Sequence, residues 1–132
     1  MRTCVLAVVA LVALVALVAL AAASPAGEKY TNRYDHIDID AILANKRTLR
    51  VYVNCLLEKG DCPPEAKELR AHIPEALHTA CAKCTSSQKN LLRKAIRYLR
   101  AHDRATMELI AKHYDPDNKY TKSFSDFIDS DN

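Results

Sequence analysis

The sequence predicts an all-α fold, a compact bundle of about six helices, and three observations carry that reading. Apolar residues recur at i, i+3, i+4 and i+7 in one segment after another, the period of an amphipathic helix. No segment shows the apolar/polar alternation of a half-buried strand. Four cysteines, at the spacing C-x6-C-x18-C-x2-C from Cys55 to Cys84, fall where helices must stop and restart. Cys55 lies near the end of a run that stops at Lys59-Gly60, and Cys62 precedes Pro63-Pro64, which can only open a new helix. A tight reversal there brings the two sulfurs together. Cys81 and Cys84 are one helical turn apart, within the roughly 4.4–6.8 Å Cα separation a disulfide needs. The expected pairs are therefore Cys55–Cys62 and Cys81–Cys84. Loops of 8 and 4 residues give chain-entropy gains of only about 2.5 and about 1.9 kcal/mol. Such bridges staple corners.

The same four thiols could instead hold zinc, since Cys81-Ala82-Lys83-Cys84 has zinc-site spacing, or Cys81 and Cys84 could form a redox pair. The start of the chain weighs against both. Met1-Arg2-Thr3 supplies a positive charge, Val5 to Leu20 is an unbroken apolar run, and Ala21-Ala22-Ala23 offers a small-residue cleavage site. This reads as a secretory signal peptide over residues 1–23, cleaved after Ala23 or Ala26; the competing reading is an uncleaved anchor of 19 apolar residues, Val5 to Ala23. Cleavage removes Cys4 and delivers an even four cysteines to an oxidising, extracellular compartment, where disulfides persist. No metal and no cofactor are expected. The remaining 109 residues, 24–132, form one helical domain with 18 Lys and Arg against 16 Asp and Glu, a net charge of +2. So small a charge gives no support to nucleic-acid binding. No Asn-x-Ser/Thr sequon is present, nor any internal repeat, and the chain reads as a monomer with no stable membrane insertion once the signal is gone.

Glu28 to Asp40 is a polar arm carrying Tyr30, Tyr34, Ile37 and Ile39, expected to lie extended over the body. Asp40 to Ala44 makes a short first helix, and Asn45 caps a second in which Leu49, Tyr52, Val53, Leu56 and Leu57 share a face. Gly60 ends that helix. Pro63-Pro64-Glu65 opens a third, with Glu65 and Glu68 near its positive end and Leu69, Ile73 and Leu77 along one face. Pro74 lies inside it, and because the apolar face stays in phase the helix is expected to continue through a kink. Thr85 and Gln88 form a capping box for a fourth helix lined by Leu91, Leu92, Ala95, Ile96 and Leu99. Its other side, Lys89, Arg93, Lys94, Arg97 and Arg100, reads as a solvated face rather than a membrane-binding one, since acidic residues elsewhere balance the charge. Asp103 caps a fifth helix with Met107, Ile110, Ala111 and Tyr114 on one face; Asp115-Pro116-Asp117-Asn118 is a stop. Tyr120, Phe124, Phe127 and Ile128 stripe a sixth. His36, His72, His78, His102 and His113 are scattered on polar faces and read as surface residues; with no triad and no paired carboxylates at catalytic spacing, the chain is not expected to be an enzyme.

Five elements in order carry a resemblance: Tyr34-Asp35 in the arm, Ile42-Leu43-Ala44-Asn45, Tyr52-Val53-Asn54-Cys55, the four-cysteine spacing, and Lys112-His113-Tyr114-Asp115-Pro116. Behind a secretory signal, this set resembles the insect chemosensory proteins, the OS-D or pheromone-binding A10 family, across essentially the whole mature chain. The resemblance implies a six-helix bundle with sequential disulfides and an internal apolar channel for fatty acids, fatty alcohols and pheromone- or odorant-like molecules. On composition alone Tyr52, Tyr120 and Phe124 are ordinary core aromatics. The resemblance instead makes Tyr34, Asp35, Tyr52, Tyr120 and Phe124 positions that line or gate the channel. By facing, Ile42, Leu43, Leu69, Ile73, Leu77, Ile96, Met107 and Ile110 supply the rest of its wall. One departure stands out: the family commonly has tryptophan where this chain has Met107, and this chain has none anywhere. The implied function is a secreted carrier of small hydrophobic ligands; a cell-surface receptor is a further candidate partner, one that would favour the alternative reading. The alternative the family raises is a secreted interaction or signalling protein in development, immunity or tissue repair.

Overall fold

The computed structural model describes residues 3–9 and 28–131. Residues 3–9 are helical and expose Val5, Leu6, Val8 and Val9; most of the expected signal segment and both cleavage positions lie outside the described residues. Among the described residues no helix is long and apolar enough to cross a membrane. The body is all-α, with no strand among the described residues. Its helices are α1 (Ile39–Ala44), α2 (Lys46–Leu56), α3 (Pro64–Thr79), α4 (Ser86–His102), α5 (Arg104–Tyr114) and α6 (Thr121–Asp129).

Local chemistry accounts for most boundaries. Asp38 caps α1 through the N–H of Ala41, and the Asn45 side chain takes the N–H groups of Arg47 and Thr48 to start α2. Thr85 and Gln88 close the expected capping box on α4, at 3.1 and 2.9 Å, and Asp103 accepts from Thr106 N–H at the head of α5. Pro64 occupies the first turn of α3, and the helix runs unbroken past Pro74 to Thr79. At the end of α2 the structure differs from expectation. The stop comes before Gly60: Glu58 adopts φ 58°, and Lys59 N–H reaches back to Asn54 C=O at 2.8 Å, a glycine-type closure made by a glutamate. That early reversal lets Cys62 return to Cys55, their Cα atoms 4.9 Å apart. At the end of α3, Ala80 and Cys81 both take left-handed backbone and Cys81 N–H closes on Ala76 C=O at 2.9 Å; Cys81 then bridges Cys84, Cα atoms 5.0 Å apart. Both expected disulfides are present.

The arm is extended only to Asn32 and then turns over residues 33–36. It is strapped to the Cys81–Cys84 corner. Tyr30 N–H donates to Lys83 C=O (2.9 Å), Lys29 Nζ to Ala82 C=O (3.0 Å) and Gln88 Nε2 to Thr31 C=O (3.1 Å), while Thr85 hydroxyl donates to Asp35 (3.1 Å).

The basic side of α4 is not the solvated face its composition suggests. Arg93 is only 6% exposed; it lies 4.5 Å over the Phe127 ring and donates to Phe127 C=O and Ser130 Oγ. Arg97 donates twice to Ile128 C=O, and Arg100 holds Asp129 at 2.8 Å and Ser125 at 2.9 Å. Three guanidiniums one turn apart thus satisfy the orphan carbonyls and the negative dipole end of α6. Lys94, reaching Asp40 at 2.7 Å, and the outer edge of Arg97, reaching Asp131 at 3.4 Å, pair in the open as expected of such a face.

Among the described residues the buried apolar side chains are few: Ile42, Leu43, Leu57, Leu99 and Ile128, the disulfide cysteines Cys55, Cys81 and Cys84, and Ala66 and Ala76. The long inward-facing side chains of α3, α4 and α5, among them Leu69, Ile73, Leu77, Ile96, Met107 and Ile110, are only half-buried. They surround space rather than one another.

Candidate functional site: an apolar cavity between the helices

That space is a cavity of about 330 Å³. Every helix of the body contributes to its wall: α1 with Ile42 and Leu43, α2 with Leu49, Tyr52, Val53 and Leu56, α3 with Leu69, Ile73 and Leu77. From the other side come Leu91, Leu92, Ala95, Ile96 and Leu99 of α4, Met107, Ile110, Ala111 and Tyr114 of α5, and Phe124 of α6. The periodicity that puts one apolar stripe on each helix thus aims the stripes of α1 to α5 at one chamber, to which α6 adds Phe124. Its size falls at the lower end of the about 300–1,000 Å³ typical of small-molecule sites and is about twice the engineered apolar voids that stay dry and take up benzene.

Of the residues singled out from the sequence, Tyr34, Asp35, Ile42, Leu43, Tyr52, Leu69, Ile73, Leu77, Ile96, Met107, Ile110 and Phe124 are brought together around the cavity. Tyr120 is not among its lining residues. Its ring stacks instead on His78 of α3, with centroids 4.1 Å apart.

Polar groups meet the cavity at a few points, most of them already engaged with the protein, the Tyr34 hydroxyl excepted. The Tyr52 hydroxyl donates to Glu65 Oε1, and burial first, then that hydrogen bond and the carboxylate's charge, push the phenol up to about 12. Beneath the arm, Tyr30 stacks on His72 with centroids 4.0 Å apart, and His72 contacts Glu68 at 3.0 Å. His72 is thus half-buried against the chamber rather than a plain surface residue, a placement its polar neighbours in sequence do not betray. The Tyr30 hydroxyl donates to Glu75, and burial followed by that bond pushes it, too, up to about 12. Tyr114 donates to Leu56 C=O across the α2/α5 gap, and burial raises its pKa with a further contribution from Glu58. Gln88, Arg100, Asp115, Thr121 and Ser125 complete the polar fringe.

Sequence reasoning missed Tyr30, Glu65, Glu68, His72, Gln88 and Arg100 as lining residues. The first-turn position of Glu65 and Glu68 on α3 reads as dipole compensation, and only the tertiary approach of Tyr52 and of the arm turns them toward the cavity.

A family model described as the insect pheromone-binding family, A10/OS-D, matches residues 30–122. The chain is similar to Allergen Tha p 1 of Thaumetopoea pityocampa, 40% identical over 104 residues that cover 79% of this chain and 82% of that protein. It is also similar to ejaculatory bulb-specific protein 3 of Drosophila melanogaster, 39% identical over 99 residues, 75% of this chain and 79% of the relative. Among solved structures, a chemosensory protein in complex with bromo-dodecanol matches with TM-score 0.70 at 41% identity, covering 74% of this chain and 98% of its own. Helix order, disulfide corners and these matches agree: the chain belongs to the insect pheromone-binding family A10/OS-D.

Proposed function

We propose that residues 24–132, or 27–132 if cleavage follows Ala26, are secreted as a carrier that holds one long-chain hydrophobic molecule, an alcohol, acid or pheromone-like compound, in the cavity between the helices. The observation that carries this is the cavity itself. A sealed apolar void of 330 Å³ would cost about 8 kcal/mol at about 24 cal/mol per Å³, as much as many domains possess; this cavity is partly open, and left unfilled it exposes its apolar wall instead. A bundle with no use for the space would close it by repacking its Leu, Ile and Met side chains.

The energetics of filling it suit a carrier. Burying about 12 methylenes at about 0.8 kcal/mol each gains about 10 kcal/mol, from which association and chain ordering subtract several. The remainder, about 7–8 kcal/mol, corresponds to a micromolar dissociation constant, tight enough to load and loose enough to deliver. A similar protein, 41% identical, was solved with bromo-dodecanol, a molecule of this class. No step of this function needs a catalytic group. The test is displacement of a fluorescent apolar reporter from delipidated mature protein by alcohols and acids of graded length. Affinity is expected to rise with chain length up to the capacity of the cavity. No displacement by any of them would remove the carrier reading and leave the secreted interaction protein in its place.

A further inference from the structure

We propose that the cavity selects ligands by head group, favouring a hydroxyl over a carboxylate on the same chain, and that Glu65 is the selecting residue. This deepens the carrier reading and rests on it. Four carboxylates line the cavity, Asp35, Glu65, Glu68 and Asp115, against Arg100 as the one permanent cation and His72. Among the described residues the wall contains no lysine. Both basic groups already face an acidic partner: Arg100 holds Asp129 and Ser125, and His72 stands against Glu68. A fatty acid carboxylate entering here meets like charge, with positive groups that are already neutralised by carboxylates, whereas a neutral head escapes that penalty.

Donor and acceptor inventory points to the same selection. Of the wall tyrosines among the described residues, Tyr52 already donates to Glu65 Oε1, Tyr30 to Glu75 and Tyr114 to Leu56 C=O, and Tyr34 alone keeps a hydroxyl with no protein partner. What the Tyr52–Glu65 pair still offers is acceptor capacity, the lone pairs of the second carboxylate oxygen and of the phenol. An alcohol can donate into that site. An ionised acid has no proton to give, and a methyl ester, though neutral, also lacks a donor.

The experiment is reporter displacement on delipidated mature protein at pH 8, below ligand aggregation, with tetradecanol, ionised tetradecanoic acid and methyl tetradecanoate, so that chain length is constant. Wild type should bind the alcohol about tenfold more tightly than the acid, the size of one like-charge contact, with the ester between them. Glu65→Gln, which removes the charge and adds a donor, should bring acid and alcohol within about threefold. Tyr52→Phe should preserve the alcohol preference, because it frees Glu65; a tyrosine that served as the head-group donor would instead lose both ligands when changed to Phe. Equal binding of acid and alcohol by wild type, or an unchanged ratio in folded Glu65→Gln, overturns the proposal while leaving the carrier intact. Should Glu65→Gln not fold, the wild-type series and Tyr52→Phe decide it. Failure of all three ligands to displace the reporter would strike the carrier reading itself.

Discussion

At the scale of single residues, Asp115 shows how a side chain can shape a corner that hydropathy cannot see. It is 5% exposed and accepts from Lys119 N–H (2.9 Å), Tyr120 N–H (3.1 Å) and the Thr121 hydroxyl (2.6 Å). Tyr120, the residue that precedes α6, gives no side-chain cap, so Asp115 starts the helix from five or six residues upstream. The Thr121 bond, followed by the backbone donors, holds its carboxyl below the ordinary 3.8. A depressed carboxyl stabilises the fold above its unfolded pKa and loses that contribution as pH falls through the folded value. Urea midpoints should therefore be level above pH about 5 and drop below about 4, and Asp115→Asn should lower the plateau and flatten the drop. The tyrosines carry the opposite sign. Tyr30 and Tyr52, raised from 10.0 to about 12, stabilise below their unfolded pKa, and the contribution is lost as pH climbs from about 10 through about 12. Tyr52→Phe should shrink that alkaline fall, measured by the same urea titration.

At the scale of elements, helix existence and most caps were legible because they depend on neighbours in sequence: Asn45, Thr85 with Gln88, and Asp103 all cap as their spacing suggests. What escaped were ends and faces decided by distant partners. Gly60 looks like the stop of α2, but the disulfide corner makes Glu58 take the left-handed turn. The basic side of α4 looks solvated, yet α6 presents its carbonyl end there. A variant pair separates the two kinds of charge on that face. Arg93→Met should cost about 1–3 kcal/mol, since it strips donors from buried groups, whereas Lys94→Met, losing one exposed ion pair with Asp40, should cost less than about 1 kcal/mol. Chemical denaturation of the two variants checks this; equal effects would mean that Arg93 is no better engaged than a surface charge.

At the scale of the whole molecule, the two disulfides and the inward stripes were legible, but the cavity was not legible from periodicity alone. A stripe of Leu, Ile and Met has the same pattern whether it faces another stripe or a void; the distinction lies in how far apart small bridges and short helices hold the walls. Half-buried Ile73, Ile96, Met107 and Ile110 are the signature in the structure. If a ligand occupies that space, binding and stability must be linked: dodecanol at about 100 times its dissociation constant should add about 2.7 kcal/mol and raise the melting temperature by about 10 °C.

The absence of tryptophan allows the central claim to be tested inside the cavity itself. Met107→Trp places the protein's sole tryptophan in the part of the chamber wall that α5 supplies, one turn from Ile110. A brominated long-chain alcohol should then quench its emission saturably and at about one ligand per protein, and the unbrominated alcohol should restore it competitively at micromolar concentration. Folded Met107→Trp protein whose emission is untouched by the brominated alcohol, while the same alcohol still displaces a reporter, would place the ligand elsewhere and contradict the account.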